Sequence, residues 1–228
     1  YINDRFNKII YDDSNRYIFN NFKMLKKNLP NSNLSFVFSS FSVDEVIAAF
    51  NEIPHDSAAG NDGIPTKVLK AIITCIAPIL ALIFNNILAS GKIPESFKFS
   101  ITTALYKNKG DATDVNNFRG ISTISPIPKS FEKLAGGQMI FYFEINRLFF
   151  SSQHGFRKNF SCETALHQLL SEIYRNLDDK LTMILLFIDF QKAFDTVDSE
   201  LLLLKLFHYG FSNLALELIR SYFLDRRQ

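Results

Sequence analysis

Leu186-Phe187-Ile188-Asp189-Phe190-Gln191-Lys192-Ala193-Phe194-Asp195 is the stretch of this sequence whose residue types and spacing could do chemistry. Asp189 follows a run from Leu181 to Ile188 that is apolar and of strand length, which predicts a central strand buried on both faces. An ionised carboxylate at the edge of such a strand must find a cation, a hydrogen-bond donor or water, because low dielectric penalises it unpaired. A divalent metal is one solution, since Mg²⁺ takes carboxylate oxygens together with the phosphates of a substrate. The other is plain: Asp189 and Asp195 end a strand and cap a turn. The residues alone leave both readings open.

Local charge supplies a second set of candidates. Between Lys92 and Lys133 there are seven basic residues (Lys92, Lys98, Lys107, Lys109, Arg119, Lys129, Lys133) against four acids (Glu95, Asp111, Asp114, Glu132), leaving +3. That is a modest footprint for phosphate, while the net charge of +2 over the 228 residues neither demands nor excludes a nucleic-acid partner.

These side chains need a scaffold, and the pattern predicts an α+β one. Ser42-Val43-Asp44-Glu45 has the form of a capping box opening a short helix with Val46, Ile47 and Phe50 on its apolar face. The stretch 57–63 (Ser-Ala-Ala-Gly-Asn-Asp-Gly) reads as a loop. Pro65 starts a long apolar helix that ends near Gly91, with a bend or break expected at Pro78. Ser100 to Tyr106 and Phe118 to Ile124 read as two strands joined by the polar loop Lys107 to Asn117. A helix from about Pro128 to Leu148 is weakened at Gly136-Gly137. Ser161 caps a further helix with Ala165, Leu166, Leu169, Leu170 and Ile173 on its buried face. Helices over Ser199 to Tyr209 and Asn213 to Leu224 close the chain, and residues 1–40 read as a helical lead-in followed by a loop.

Composition narrows the class. With 47% hydrophobic and 21% charged residues, 24 Phe and 8 Tyr, the chain has ample apolar surface for a core and does not read as disordered. Cys75 and Cys162 are too few and too far apart for a disulfide framework or a zinc site, so a reduced intracellular compartment is expected. The apolar stretch Ala71 to Phe84 is short for a bilayer and contains Thr74 and Pro78, so no membrane partner is expected. The chain opens on Tyr1 and stops at Arg226-Arg227-Gln228, ends that read as cuts in a longer polypeptide.

The sequence Phe187-Ile188-Asp189-Phe190-Gln191-Lys192-Ala193-Phe194-Asp195-Thr196-Val197-Asp198 resembles the first catalytic block of the reverse transcriptases of LINE-type (non-LTR) retrotransposons. Other blocks occur in that family's order. Gly60-Asn61-Asp62-Gly63-Ile64-Pro65 resembles a Gly-Pro-Asp-Gly-Ile-Pro entry block, and Gly91-Lys92-Ile93-Pro94 through Lys107 the approach to a hairpin. Asn117-Phe118-Arg119-Gly120-Ile121-Ser122 resembles Asn-Tyr-Arg-Pro-Ile-Ser. Gln153-His154-Gly155-Phe156-Arg157 with Ser161-Cys162-Glu163-Thr164-Ala165-Leu166 resembles a block typical of these elements, and Ile219-Arg220-Ser221-Tyr222 with Arg226-Arg227-Gln228 the helix before the next block.

The resemblance, over about residues 42–228, implies the fingers and partial palm of a right-hand polymerase. By the motif order, 1–41 is a lead-in, 42–180 a fingers-like region with its hairpin, and 181–228 the start of the palm. Such enzymes copy an RNA template into DNA from a primer, using deoxynucleoside triphosphates and two Mg²⁺ ions that stabilise the attacking and leaving oxygens. By match to the motif, Asp189 is the catalytic metal ligand and Phe190 lends its main-chain carbonyl. Phe194 is the steric gate beneath the sugar, in the space a 2′-hydroxyl would need; the plain alternative is core packing. Arg119 lies against the incoming nucleotide, a task suited to a planar guanidinium. Lys107 and Lys109 reach the triphosphate tail or are simply a solvated loop, and Arg157 contacts nucleic-acid backbone or only braces the fingers. Asp195 and Asp198 orient backbone and cap the next helix.

Three departures stand out: Gly120 where the family has Pro, Asn159-Phe160 where it has Gly-Arg, and the Gly136-Gly137 pair within a helix. The family's Pro-Gln-Gly block and Tyr-Ala-Asp-Asp hairpin are not in the sequence, and Tyr11-Asp12-Asp13 lies on the wrong side of Asp189 to replace the latter. The chain is therefore expected to be truncated before the second catalytic carboxylate hairpin and inactive alone. The alternative is a non-catalytic nucleic-acid-binding relic of a decayed element. Either would reside in the cytoplasm and nucleus of a eukaryotic host.

Overall fold

The computed structural model describes residues 34–190, 193, 194 and 196–228. Residues 1–33 of the lead-in expected over 1–41, with Tyr11-Asp12-Asp13 among them, and the positions Gln191, Lys192 and Asp195 lie outside the described residues. The architecture is mixed helix and strand, in two compact units. One comprises the described residues up to Gln138 together with Asp198–Gln228, and the other is Met139–Val197.

In the first unit, α1 (Val43–Asn51) opens with the capping box the sequence predicts. The Ser42 hydroxyl accepts from the Glu45 N–H, and the Glu45 carboxylate accepts from the Ser42 N–H. The expected long helix from Pro65 is two helices, α2 (Thr66–Ala71) and α3 (Ile73–Ser90). The break falls at Ile72 (φ −113°, ψ 8°), not at Pro78, which lies inside α3. Ile72-Ile73-Thr74 is a run of β-branched side chains that crowd a helical turn, and Pro78 cannot bond back to the Thr74 carbonyl. Interrupting the chain just upstream leaves the proline within the second turn of the new helix. Gly91, at φ +63°, closes α3.

The faces of α3 decide the core. Ala77, Leu80, Ala81, Phe84, Ile87 and Leu88 are buried, and they pack with Val46 and Phe50 of α1 and with Phe41 and Phe131. Phe84 meets Phe131, Phe97 and Phe41 edge-on, with ring centroids 5.4, 6.4 and 6.5 Å away, an arrangement the aromatic quadrupole favours. The opposite face carries exposed Ile79, Leu82 and Ile83. The eighteen-residue α3 is long and apolar enough to cross a membrane by length and composition alone, a longer apolar helix than the Ala71–Phe84 stretch suggested. Its inner face is core.

The two expected strands form an antiparallel hairpin, β1 (Ile101–Tyr106) and β2 (Phe118–Thr123), in the register Ile101 opposite Thr123 to Tyr106 opposite Phe118. The chain then enters α4 (Pro126–Ile145), which runs unbroken through Gly136-Gly137 and leads from the first unit into the second. Later in the chain, α6 (Ser199–His208) and α7 (Asn213–Phe223) return to the first unit. Asp198 caps α6 as the sequence suggests, accepting from the Glu200 and Leu201 N–H groups. Gly210, at φ +88°, follows its end. Leu203, Leu204, Leu216 and Ile219 are buried between or behind these helices, and Arg220 donates to both carboxylate oxygens of Glu200 across them.

In the second unit, α5 (Cys162–Asp178) starts at Ser161 as expected, through a capping box with Thr164. Its expected buried face is not buried: Ala165, Leu169 and Ile173 are only partly covered, and Leu166 and Leu170 are exposed. The larger correction concerns Leu181 to Ile188. It is neither a strand nor buried; it is irregular chain with Ile184 90% exposed and Leu186, Phe187 and Ile188 also open. A strand needs a neighbour to receive its ladder hydrogen bonds and a layer to cover its faces. Among the described residues the hairpin is the sole sheet, and its two strands pair with each other.

Candidate functional site

The residues proposed by sequence fall into two groups, one in each unit, and each group is described by itself. In the first unit the hairpin carries Arg119, Lys107 and Lys109, all exposed. Arg119 lies opposite Leu105, so on one face of the hairpin it shares a surface with Ile101, Thr103, Leu105 and Ile121. The loop between the strands is built rather than slack. The Lys107 N–H donates to the Asn117 carbonyl at 2.8 Å, and the Asn117 amide donates to the Asp111 carbonyl. The Tyr106 hydroxyl donates to the Gly110 carbonyl. Asn108 (φ +55°) and Gly110 (φ +82°) make the reversal. The Thr113 N–H donates to the Asp111 carboxylate, which holds that carboxyl below its ordinary range. This loop therefore presents Lys107 and Lys109 on a tip with a defined shape, on the same hairpin as Arg119.

Two glycines of the 60–63 block have separate local reasons. At Gly60 a Cβ would fall 2.3 Å from the Ser125 nitrogen, so only glycine permits the approach. Gly63 takes φ +66°, and the Ile64 N–H donates to the Asp62 carboxylate in the same turn. Gly120 stands opposite Ala104, and a Cβ there would come within 3.3 Å of Thr102 Cγ2.

In the second unit, Asp189 and Phe190 sit at the end of the irregular apolar run, and both are exposed. The Asp189 carboxylate has no hydrogen bond or ion pair among the described residues. No group of three or more metal-ligating side chains is gathered among them either. Magnesium demands about six oxygen ligands in near-octahedral array. One carboxylate and one main-chain carbonyl do not complete that set, so the described residues alone do not fit the ion.

Arg157 is held from several sides. Its Nε and one terminal nitrogen donate to the two oxygens of Glu144 at 2.9 and 2.8 Å, and the other donates to the Gln153 carbonyl at 3.1 Å. Its guanidinium carbon lies 4.1 Å from the Phe160 ring centre and 5.1 Å from that of Phe149. The pairing raises the Arg157 pKa and lowers that of Glu144. Only 12% of its side chain is exposed. The departure at Asn159-Phe160 becomes legible here. Asn159 takes φ +66°, a backbone region glycine favours and asparagine tolerates, and Phe160 puts a ring against Arg157. His154 completes the block, hydrogen-bonded through Nδ1 to Thr164 Oγ1 and through Nε2 to Gln168 Oε1, both at 2.8 Å. Sequence reasoning passed over Phe156, which takes φ +61° and sets its ring edge-on to that of Phe194 at 6.0 Å.

No family model matches the chain. It is 29% identical over 200 residues to the "Probable RNA-directed DNA polymerase from transposon BS" of Drosophila melanogaster, covering 85% of this chain and 21% of that protein. To the "RNA-directed DNA polymerase from mobile element jockey" of the same species it is 26% identical over 164 residues, 72% of this chain and 18% of the other. The polymerase named for transposon X-element, also from Drosophila melanogaster, matches at 28% over 160 residues, 70% of this chain and 17% of its own length. The chain thus spans about a fifth of the length of these curated relatives. It is a homologue of the RNA-directed DNA polymerases of non-LTR, LINE-type mobile elements, matched along one stretch of their sequence.

Proposed function

We propose that this chain is the nucleotide-receiving part of an RNA-directed DNA polymerase of a LINE-type element. The observation that carries the reading is the alignment with transposon BS polymerase along 85% of the chain, spanning both the hairpin and the Asp189 segment. Residues 42–180 form fingers with a hairpin and 181–228 begin the palm. Those limits follow the order of the motifs rather than the compact units of the fold.

In this reading Arg119 contacts the base and phosphates of the incoming deoxynucleoside triphosphate, while Lys107 and Lys109 hold its phosphate tail as exposed cations on a shaped loop. Phe194 stands beneath the sugar and excludes a 2′-hydroxyl. Asp189, with the main-chain carbonyl of Phe190, contributes to a Mg²⁺ site whose remaining ligands come from other parts of the polymerase. Arg157 supports the RNA template and DNA primer indirectly, by fixing the Gln153–Phe160 loop. The polymerase works in the cytoplasm and nucleus of a eukaryotic host.

The test is primer extension on an RNA template with deoxynucleotides and Mg²⁺. It compares the 228-residue chain, a full-length polymerase carrying this segment, and that polymerase with Asp189→Ala. Extension by the full-length protein that is abolished by D189A supports the reading. A folded full-length protein without activity returns the assignment to a nucleic-acid-binding relic. Extension by the 228-residue chain would refute the incomplete metal site.

A further inference from the structure

Phe156 combines three features that core packing does not explain. It is 85% exposed, its backbone sits at φ +61°, and the loop that carries it is fastened on both sides. An aromatic residue in the left-handed region is uncommon, and such conformations persist where the surroundings over-determine them. Here they do. Gln153 Nε2 donates to the Gly155 carbonyl at 3.0 Å, Arg157 is clamped by Glu144, and His154 is held by Thr164 and Gln168. The residues on either side of Phe156 are thus held while its own ring stands exposed. That ring meets Phe194, itself 79% exposed, with centroids 6.0 Å apart and planes at 83°.

We infer that Phe156 is a positioning residue for Phe194, holding the gate ring in the orientation that separates deoxyribose from ribose. The inference rests on the reading of Phe194 given above. Phe194 is largely open to water even with this neighbour, so little else limits rotation about its side-chain bonds, and such rotation would clear the space a 2′-hydroxyl needs. An edge-to-face contact biases that rotation. Lys158, exposed two residues along, offers the rival use of the loop: stacking Phe156 on a template base beside a phosphate contact.

The experiment uses the full-length polymerase with F194A, F156A, F156Y and the double variant F156A/F194A. It measures kcat/KM for a deoxynucleotide and for the matching ribonucleotide at one template position, together with template affinity. F194A is expected to collapse the selectivity ratio. F156A should lower that ratio by about threefold to tenfold, the factor one ring pair supplies, at unchanged template affinity. F156Y should restore the ratio, and the double variant should be no less selective than F194A, since the two residues act through one contact. A collapsed ratio in F194A with a normal one in F156A overturns the inference and leaves the gate reading standing. An active F194A enzyme with normal selectivity overturns the gate reading itself. Weaker template binding by F156A at a normal ratio assigns the ring to the template and overturns the inference.

Discussion

Replacing Gly136 and Gly137 with alanine should make the protein more stable, although two glycines in a twenty-residue helix look like a requirement. Both lie inside α4, and neither takes a positive φ. A Cβ built at either position meets nothing within 4 Å, so no neighbour and no backbone conformation asks for glycine. The cost of keeping glycine in a helix interior is then its extra freedom in the unfolded chain, about 1 kcal/mol per residue relative to alanine. The two changes should contribute about 2 kcal/mol together. For a chain of this length each ~1 kcal/mol moves Tm by roughly 2–4 °C, so the double variant should melt about 4–8 °C higher. Thermal unfolding followed by circular dichroism at the helix band, for both singles and the double, is the assay. Each single variant should give about half the shift. A fall in Tm in either would mean that a side chain at that position is opposed by something the fold places there, and the reasoning would fail.

Four further outcomes follow from the geometry. Gly60→Ala should destabilise by about 1–3 kcal/mol through overpacking against Ser125, read as a lower denaturation midpoint. Asp198→Ala removes the cap of α6 and should cost about 1 kcal/mol by the same measurement. Arg119→Ala in the full-length polymerase should raise KM for the deoxynucleotide, with Arg119→Lys a poor substitute, because an ammonium cannot reproduce planar bidentate contact; an unchanged KM removes Arg119 from the nucleotide site. Burial, joined by the nearby Glu132 carboxylate, pushes the Tyr222 hydroxyl up from 10.0 to about 12. The folded chain then holds a proton that the unfolded chain releases between those values, so stability should fall as pH rises through that window. Tyr222→Phe should flatten the fall, and equal slopes in both proteins would contradict the burial.

The elements legible in the sequence were those specified locally. Ser42 with Glu45, Ser161 with Thr164, Asp198 before α6 and Gly91 after α3 each mark a helix boundary through groups a few residues apart. The hairpin was legible for the same reason, its strands separated by one short polar loop. What failed depended on distant partners. Leu181 to Ile188 has the composition of a buried strand, but composition does not supply the neighbouring backbone that makes one. The half-open face of α5 failed likewise, because periodicity tells which residues share a face and not whether anything covers it. Within the candidate site, Arg119 and the two loop lysines were visible as types in a motif. The clamp on Arg157 was not, since Glu144, Phe149 and Phe160 are brought to it by the fold. Phe156 left one faint signal, an aromatic between Gly155 and Arg157.

The open run from Leu181 to Phe190 also bears on how this chain behaves as its concentration rises. Its segment Met183–Ile188 has no charge, proline or glycine, the composition of a window prone to cross-β association. Exposed chain of that composition offers unpaired backbone to a second copy, so this run is where the protein would self-associate as its concentration rises.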